Sequence, residues 1–141
     1  MRRLVLVLFI LAGIAMAQAP AKPPAVEGEP TRTVSGLEYW DIKVGAGKVA
    51  KFGDDVVVDY TGWVEGGKKF DSSIDNHRPF PMTIGSTPVI KGWVEGLRGM
   101  RVGGIRRLRI PPQLGYGARG SGRTIPPGAT LIFDIELLSA R

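Results

Sequence analysis

The nine residues VIKGWVEGL, at positions 89–97, form the one helix candidate in this sequence. Ile90, Trp93 and Leu97 recur at helical spacing, so one face of the helix would be strongly apolar. Two glycines in the same stretch weaken a helix by roughly 1 kcal/mol each. A helix of this kind is short, and we expect it to lie across a sheet whose strands come from the rest of the chain.

The segments around the helix candidate have the patterns of β-strands. Residues 56–61, VVVDYT, are rich in β-branched side chains, and residues 130–138 place alternate apolar residues on one face. Further strands are predicted at 37–44, 63–64, 69–70, 80–84 and 104–110, with a glycine-rich hairpin turn at 65–68. The chain has 20 glycines and 11 prolines in 141 residues, which favours strands and tight turns over long helices. The predicted fold class is α+β, an antiparallel sheet with one short helix.

The N-terminus has the pattern of an export signal. Arg2 and Arg3 precede the uncharged apolar run 4–14, and Ala15-Met16-Ala17 supplies the small side chains that a signal peptidase requires. We predict a signal peptide over residues 1–17 and an exported protein, periplasmic or secreted. A cut after Ala19 is disfavoured because Pro20 would follow. The alternative is an uncleaved anchor, but the run is shorter than the roughly 20 residues of a spanning helix, so we expect no stable membrane insertion after cleavage.

Residues 18–31 contain four prolines and few large apolar side chains. Such a composition buries too little surface to become ordered, and it predicts a semi-extended, proline-rich linker. The folded domain is predicted to cover residues 32–141. The formal net charge of +6 favours solubility and weak attraction to anionic surfaces, but does not by itself indicate nucleic-acid binding.

Several kinds of chemistry are poorly supported. The chain has no cysteine, so disulfides are excluded, and its one histidine, His77, lies in a polar loop. Neither a nucleophilic triad nor a metal site is expected from a lone histidine. Residues 115–120, GYGARG, match the dinucleotide-binding pattern, but flanking prolines prevent the helix that this motif must open. The arginines at 98, 101, 106, 107 and 109 suggest either a nucleic-acid surface or, as we prefer, a solvated face of the sheet.

Aromatic residues lie beside the predicted turns. They are Tyr60, Phe70, Phe80, Trp93, Tyr116 and Phe133. One interpretation places all six in the core of a small domain. The other makes them a pocket, because Asp71 directly follows Phe70 at a strand end and could sit at the rim of an aromatic cavity.

Several blocks of the sequence resemble the FKBP family of peptidyl-prolyl cis/trans isomerases. They are VVDYTG at 57–62, GKKFDSS at 67–73, VIKGWVEGL at 89–97, LGYGA at 114–118, IPP at 125–127 and ATLIFDIELL at 129–138. The blocks occur in family order and together are highly specific. The resemblance implies a half-wrapped antiparallel sheet that cradles one short helix. Asn76, Pro88 and the loop tip at 121–124 depart from the family pattern.

The resemblance also implies a site and an activity. Its pocket would be lined by Tyr60, Phe70, Asp71, Phe80, Val89, Ile90, Trp93, Tyr116, Ile125 and Phe133. Trp93 would form the floor, the Ile90 N–H and the Tyr116 hydroxyl would hold substrate carbonyls, and Asp71 would lie near the rotating carbonyl. The implied partners are X–Pro segments of folding proteins and macrolide inhibitors, with no cofactor, metal or nucleic acid, and the chain is expected to be a monomer. The competing hypothesis is a proline-recognising binding module or chaperone without turnover.

Overall fold

A computed structural model describes residues 18–141 of the chain. Seven strands form one antiparallel sheet in the spatial order β1-β2-β6-β7-β3-β4, and β5 pairs with β3. The strands are β1 Thr31–Arg32, β2 Glu38–Lys43, β3 Asp55–Val64, β4 Lys69–Ser72, β5 Phe80–Thr83, β6 Ile105–Ile110 and β7 Leu131–Ala140. Within these described residues, the one α-helix, α1, is Lys91–Leu97. The predicted fold class is confirmed, and the predicted signal peptide at 1–17 lies outside the described residues.

Strand β3 organises the site because it is long and pairs with three other strands. It pairs with β7 along its whole length, while its other edge pairs first with β5 and then with β4. The register shifts near Val57 and again near Gly62, so the strand bends as it changes partner. Residues of β4, β5 and α1 line one aromatic pocket beside this strand.

The two glycines of α1 allow the helix to approach the sheet closely. A Cβ atom at Gly92 would lie 2.7 Å from the Ile110 side chain, and one at Gly96 would lie 2.5 Å from Leu108. Both distances are shorter than van der Waals contact, so larger residues would push the helix off β6. The glycines lower the intrinsic helix propensity, but they let a seven-residue helix pack on the core.

Two of the five arginines that were predicted to lie on a solvated face of the sheet are buried. Arg106 donates to Asp41 and to the carbonyl of Gly96 at the end of α1, at 2.8 and 3.0 Å. Arg107, only 5 % exposed, forms two hydrogen bonds with Asp134. The prediction of a solvated arginine face is therefore wrong at these two positions, because carboxylates and backbone carbonyls replace the water.

The proline-rich segment is extended but docked on the outer face of the sheet. The indole N–H of Trp63 donates to the Pro20 carbonyl, and that of Trp40 donates to the Gly28 carbonyl, each at 3.0 Å. Arg107 donates to the carbonyl of Pro24. The prediction that composition prevents ordering here is wrong, because an extended proline-rich backbone leaves its carbonyls free to accept bonds from side chains. Among residues 18–141, no helix is both long and apolar enough to cross a bilayer.

Candidate active site

The candidate site is a pocket of about 160 Å³ between α1 and the inner face of the sheet. Its walls are mostly aromatic, with a single carboxylate and a tyrosine hydroxyl at the edge. The lining residues are Tyr60, Phe70, Asp71, Phe80, Pro88, Val89, Ile90, Trp93, Tyr116 and Phe133. Four strands and the helix therefore contribute to one cavity.

Five of the aromatic rings form a connected box. Trp93, on α1, lies edge-on to Tyr60 and to Phe133, with ring centroids 4.9 and 5.3 Å apart. Phe80 completes one side against Tyr60 and Trp93, and Phe70 meets Phe133 at 5.5 Å and 90°. Edge-to-face pairs of this kind fix each ring relative to the next. The box is thus one continuous apolar surface rather than a set of independent side chains.

Gly62 on β3 makes room for two walls of the box. A Cβ atom there would lie 2.6 Å from the ring of Phe133 and 2.8 Å from that of Phe70. Only the absence of a side chain lets both rings lie directly against the strand. This requirement follows from tertiary contacts and has no signature in the local sequence.

Asp71 and Tyr60 form the polar edge of the pocket. The Tyr60 hydroxyl donates to Asp71 Oδ2 at 2.6 Å, a short distance typical of a charge-assisted hydrogen bond. Burial raises the pKa of Tyr60 above its usual range, and the hydrogen bond to Asp71 raises that pKa further. Tyr60 therefore stays protonated at physiological pH and holds the carboxylate in a fixed orientation.

The loop after Asp71 is anchored to β3. Ser73 Oγ accepts the backbone N–H of Tyr60 at 2.8 Å and donates to Asp59 at 2.7 Å. These bonds tie the chain that leaves Asp71 to the strand that carries Tyr60. The Asp71 carboxylate is therefore positioned both by the Tyr60 hydroxyl and by the anchored loop that follows Asp71.

Backbone donors and a hydroxyl surround the mouth of the pocket. Ile90 immediately precedes α1, where the first N–H groups of a helix have no acceptor within the helix. Tyr116 lies across the opening between two short 3₁₀ turns and is 40 % exposed. Both residues line the pocket.

The structure brings nine of the ten predicted site residues to the pocket, and Ile125 is the exception. Ile125 is buried in the core, and its backbone pairs with Ser121 to close the loop 117–128, which we call the flap. Its side chain stabilises the base of the flap instead of lining the cavity. Pro88, which the sequence analysis named only as a departure from the family pattern, also lines the pocket.

The chemistry available in the pocket is desolvation and hydrogen bonding. Trp93 Nε1 is the one buried side-chain polar atom without a hydrogen-bond partner in residues 18–141. The same part of the chain has no cluster of histidine and carboxylate side chains that could hold a metal ion. The pocket therefore combines an apolar surface with a carboxylate held by a tyrosine hydroxyl.

Comparisons with known proteins identify the family of the chain. The profile of FKBP-type peptidyl-prolyl cis-trans isomerases matches residues 47–138. An FK506-binding protein of Neisseria meningitidis serogroup B is 53% identical over 105 residues, which are 74% of this chain and 96% of that protein. A probable FKBP-type peptidyl-prolyl cis-trans isomerase of Haemophilus influenzae is 41% identical over 140 residues, or 92% of this chain and 57% of that protein.

Solved structures show the same fold. The crystal structure of AtFKBP13 has a TM-score of 0.76 and 40% identity, covering 81% of this chain and 100% of that one. FkpA from Escherichia coli has a TM-score of 0.75 and 40% identity over 82% of this chain, which spans only 53% of FkpA. The family match, the relatives and the fold together define a peptidyl-prolyl cis-trans isomerase. The chain belongs to the family of FKBP-type peptidyl-prolyl cis-trans isomerases.

Proposed function

We propose that this protein accelerates rotation about X–Pro bonds during the folding of exported proteins, by stabilising the twisted amide in an apolar pocket. The observation that carries the proposal is the connected box of five aromatic rings with Asp71 and Tyr116 at its edge. The site has the size and polarity to take a proline ring and to leave the preceding carbonyl at the polar edge.

The mechanism follows from the electronic structure of the amide. Rotation is slow because resonance makes the C–N bond partly double, with a barrier of about 18–20 kcal/mol. The twisted state has lost this resonance and has less charge separation, so an apolar pocket stabilises it relative to water. A rate increase of about 10⁴ requires roughly 5–6 kcal/mol of transition-state stabilisation.

The residues at the edge hold the substrate. In this proposal Trp93 lies beneath the proline ring, while the Ile90 N–H and the Tyr116 hydroxyl donate to substrate carbonyls. Asp71, fixed by Tyr60, acts through its charge on the carbonyl that rotates. FK506-type macrolides would occupy the same apolar box and compete with peptide.

An assay of the purified protein on X–Pro peptides tests the activity. The slow cis-to-trans phase, followed by coupled proteolysis of the trans form, should accelerate in proportion to protein concentration, and an FK506-type macrolide should suppress the gain. A protein that binds X–Pro peptides without accelerating this phase would instead be a binding module.

Export is tested separately from activity. The proposal expects the native protein to begin at Gln18 and to be found outside the cytoplasm, since residues 1–17 have the signal pattern. Mass spectrometry of the native protein measures its first residue. An intact Met1 end in the membrane fraction would show that the segment is an anchor.

A further inference from the structure

A second cleft opens beside the proline pocket, between the β3–β4 hairpin and the flap. Its volume is about 310 Å³, and it is lined by Val64, Gly67, Lys68, Lys69, Phe70, Arg123, Thr124 and Pro126. Phe70 lines both this cleft and the proline pocket. A peptide whose proline occupies the pocket can therefore extend into the cleft within a few residues, because each extended residue spans about 3.3–3.6 Å.

The cleft has a surplus of positive charge. Lys69 is neutralised locally, since it pairs with Asp75 and donates to the Ala19 carbonyl. Lys68 and Arg123 are exposed, and neither forms an ion pair within residues 18–141. No acidic residue lines the cleft, and none occurs anywhere in residues 111–129.

Some other cations of the protein have acidic partners. Lys48 pairs with Asp54, and Arg109 pairs with Glu65 and Glu38. Arg101 forms no ion pair within residues 18–141, but it lines a cleft that also contains Asp41. Lys68 and Arg123 differ in lining a cleft that has no carboxylate. This cleft without a carboxylate adjoins the proline pocket through Phe70.

We infer that this cleft is a subsite for an acidic side chain of the substrate, a glutamate or aspartate that flanks the isomerised proline. Val64, Phe70 and Pro126 would cover the apolar stem of that side chain, and Lys68 and Arg123 would bind its carboxylate. The inference rests on the proposed function, because it names the class of X–Pro segment that the same site prefers.

Paired peptides test the inference with the purified protein. Each pair has one proline and differs only by Glu or Gln, placed at one of the three residues before proline or the two after it. Exchange NMR measures kcat/KM without a protease. At one of these five positions, which we call the preferred register, we expect kcat/KM of the Glu peptide to exceed that of the Gln peptide by about two- to five-fold at low salt. This is the size of effect that an exposed ion pair gives. The ratio should approach one in about 0.5 M salt.

Variants assign the preference to the cleft. The double variant Lys68→Gln/Arg123→Gln should bring the Glu-to-Gln ratio to about one, and Arg123→Glu should favour a Lys peptide in the same register. Both peptides are measured with the same preparation of a variant, so a general loss of activity does not change the Glu-to-Gln ratio. Arg119→Gln is the matched control, because Arg119 is an exposed flap arginine outside the cleft and its variant should keep the wild-type ratio.

Two outcomes would overturn this inference and leave the proposed function intact. They are equal turnover of Glu and Gln peptides in every register, or a Glu preference that survives in the double variant. A wild-type protein that turns over neither peptide would overturn the proposed function and, with it, this subsite.

Discussion

At the scale of single residues, Asp71 is the one carboxylate that lines the proline pocket. Asp71→Asn removes the charge but keeps the shape and an acceptor for the Tyr60 hydroxyl. We expect kcat/KM to fall about three- to thirty-fold, or about 0.7–2 kcal/mol, because desolvation by the rings carries most of the rate. The isomerisation assay and a denaturant melt of the same variant separate activity from stability.

Tyr60→Phe is the matched control for Asp71. It deletes the 2.6 Å hydrogen bond and leaves the charge in place. If the charge acts on the rotating carbonyl, Asp71→Asn should be the more damaging change, while Tyr116→Phe should have a similar or smaller effect. Wild-type turnover in Asp71→Asn together with a lowered stability would make Asp71 a turn residue only.

Trp93 offers a second test at this scale. Its indole N–H has no partner, so Trp93→Leu deletes a ring without breaking a hydrogen bond. We expect a folded protein with reduced kcat/KM or a changed preference for the residue before proline. Trp93→Ala should instead cost about 3–5 kcal/mol of stability through the cavity it leaves.

Measurements across several X–Pro peptides check the Trp93 prediction. Trp40→Leu is the control, because Trp40 lies on the outer face of the sheet and donates to Gly28. It should leave peptide preference unchanged. Equal kcat/KM values for Trp93→Leu and wild type on every peptide would reduce Trp93 to a core residue.

At the scale of elements, the docking of α1 on β6 opposes intrinsic helix propensity. Gly96→Ala would gain about 1 kcal/mol from propensity alone. The added Cβ atom would lie 2.5 Å from Leu108, and overpacking of this kind costs about 1–3 kcal/mol. We therefore expect Gly96→Ala to lower the free energy of unfolding, as measured in urea.

A double-mutant cycle identifies the cause. In a Leu108→Ala background the clash partner is gone, so Gly96→Ala should cost much less or become stabilising. Additive effects of the two changes would show that the helix does not depend on this close approach.

At the scale of the whole molecule, residues 18–28 cover an otherwise open face of the sheet. Trp63 lies on this outer face and is 1 % exposed, with its indole N–H on the Pro20 carbonyl. Deletion of residues 18–28 should lower the free energy of unfolding by about 1–3 kcal/mol, because several net hydrogen bonds of about 1 kcal/mol are lost against a gain in chain entropy. A denaturant melt measures the loss, and tryptophan emission should shift to the red.

The same segment makes stability depend on pH. The ion pair and hydrogen bond with Lys69 lower the pKa of Asp75, and the bond from the Ala19 N–H lowers it further. A carboxyl whose folded-state pKa is depressed contributes stability above its unfolded pKa, and this contribution disappears as the pH falls through the folded value. The unfolding free energy should therefore decrease below about pH 4, the usual range of aspartate.

Asp75→Asn isolates this contribution. The variant should be less stable than wild type at neutral pH, and the difference should narrow as the pH falls below 4. Asp59→Asn serves as a carboxylate control away from Lys69. A constant difference between Asp75→Asn and wild type from pH 7 to pH 2 would contradict the assignment.

The sequence by itself determined the strand pattern, the short helix and most of the pocket. Alternation at 130–138 and the β-branched run at 56–61 identify β7 and β3, because side-chain burial on a sheet repeats every two residues. The sequence blocks around Asp71, Trp93 and Tyr116 predicted a pocket. Nine of the ten residues named for it line one cavity in the structure.

Only the tertiary structure decided the roles of residues whose partners are distant in sequence. Gly62, Gly92 and Gly96 appear as weak points locally, yet each makes room for a side chain from another element. Ile125 turned inward because the flap closes on itself at Ser121. Residues 18–31 became ordered because Trp40, Trp63 and Arg107 supply donors that composition does not reveal. Such contacts depend on the register and bending of the sheet, and no local pattern encodes them.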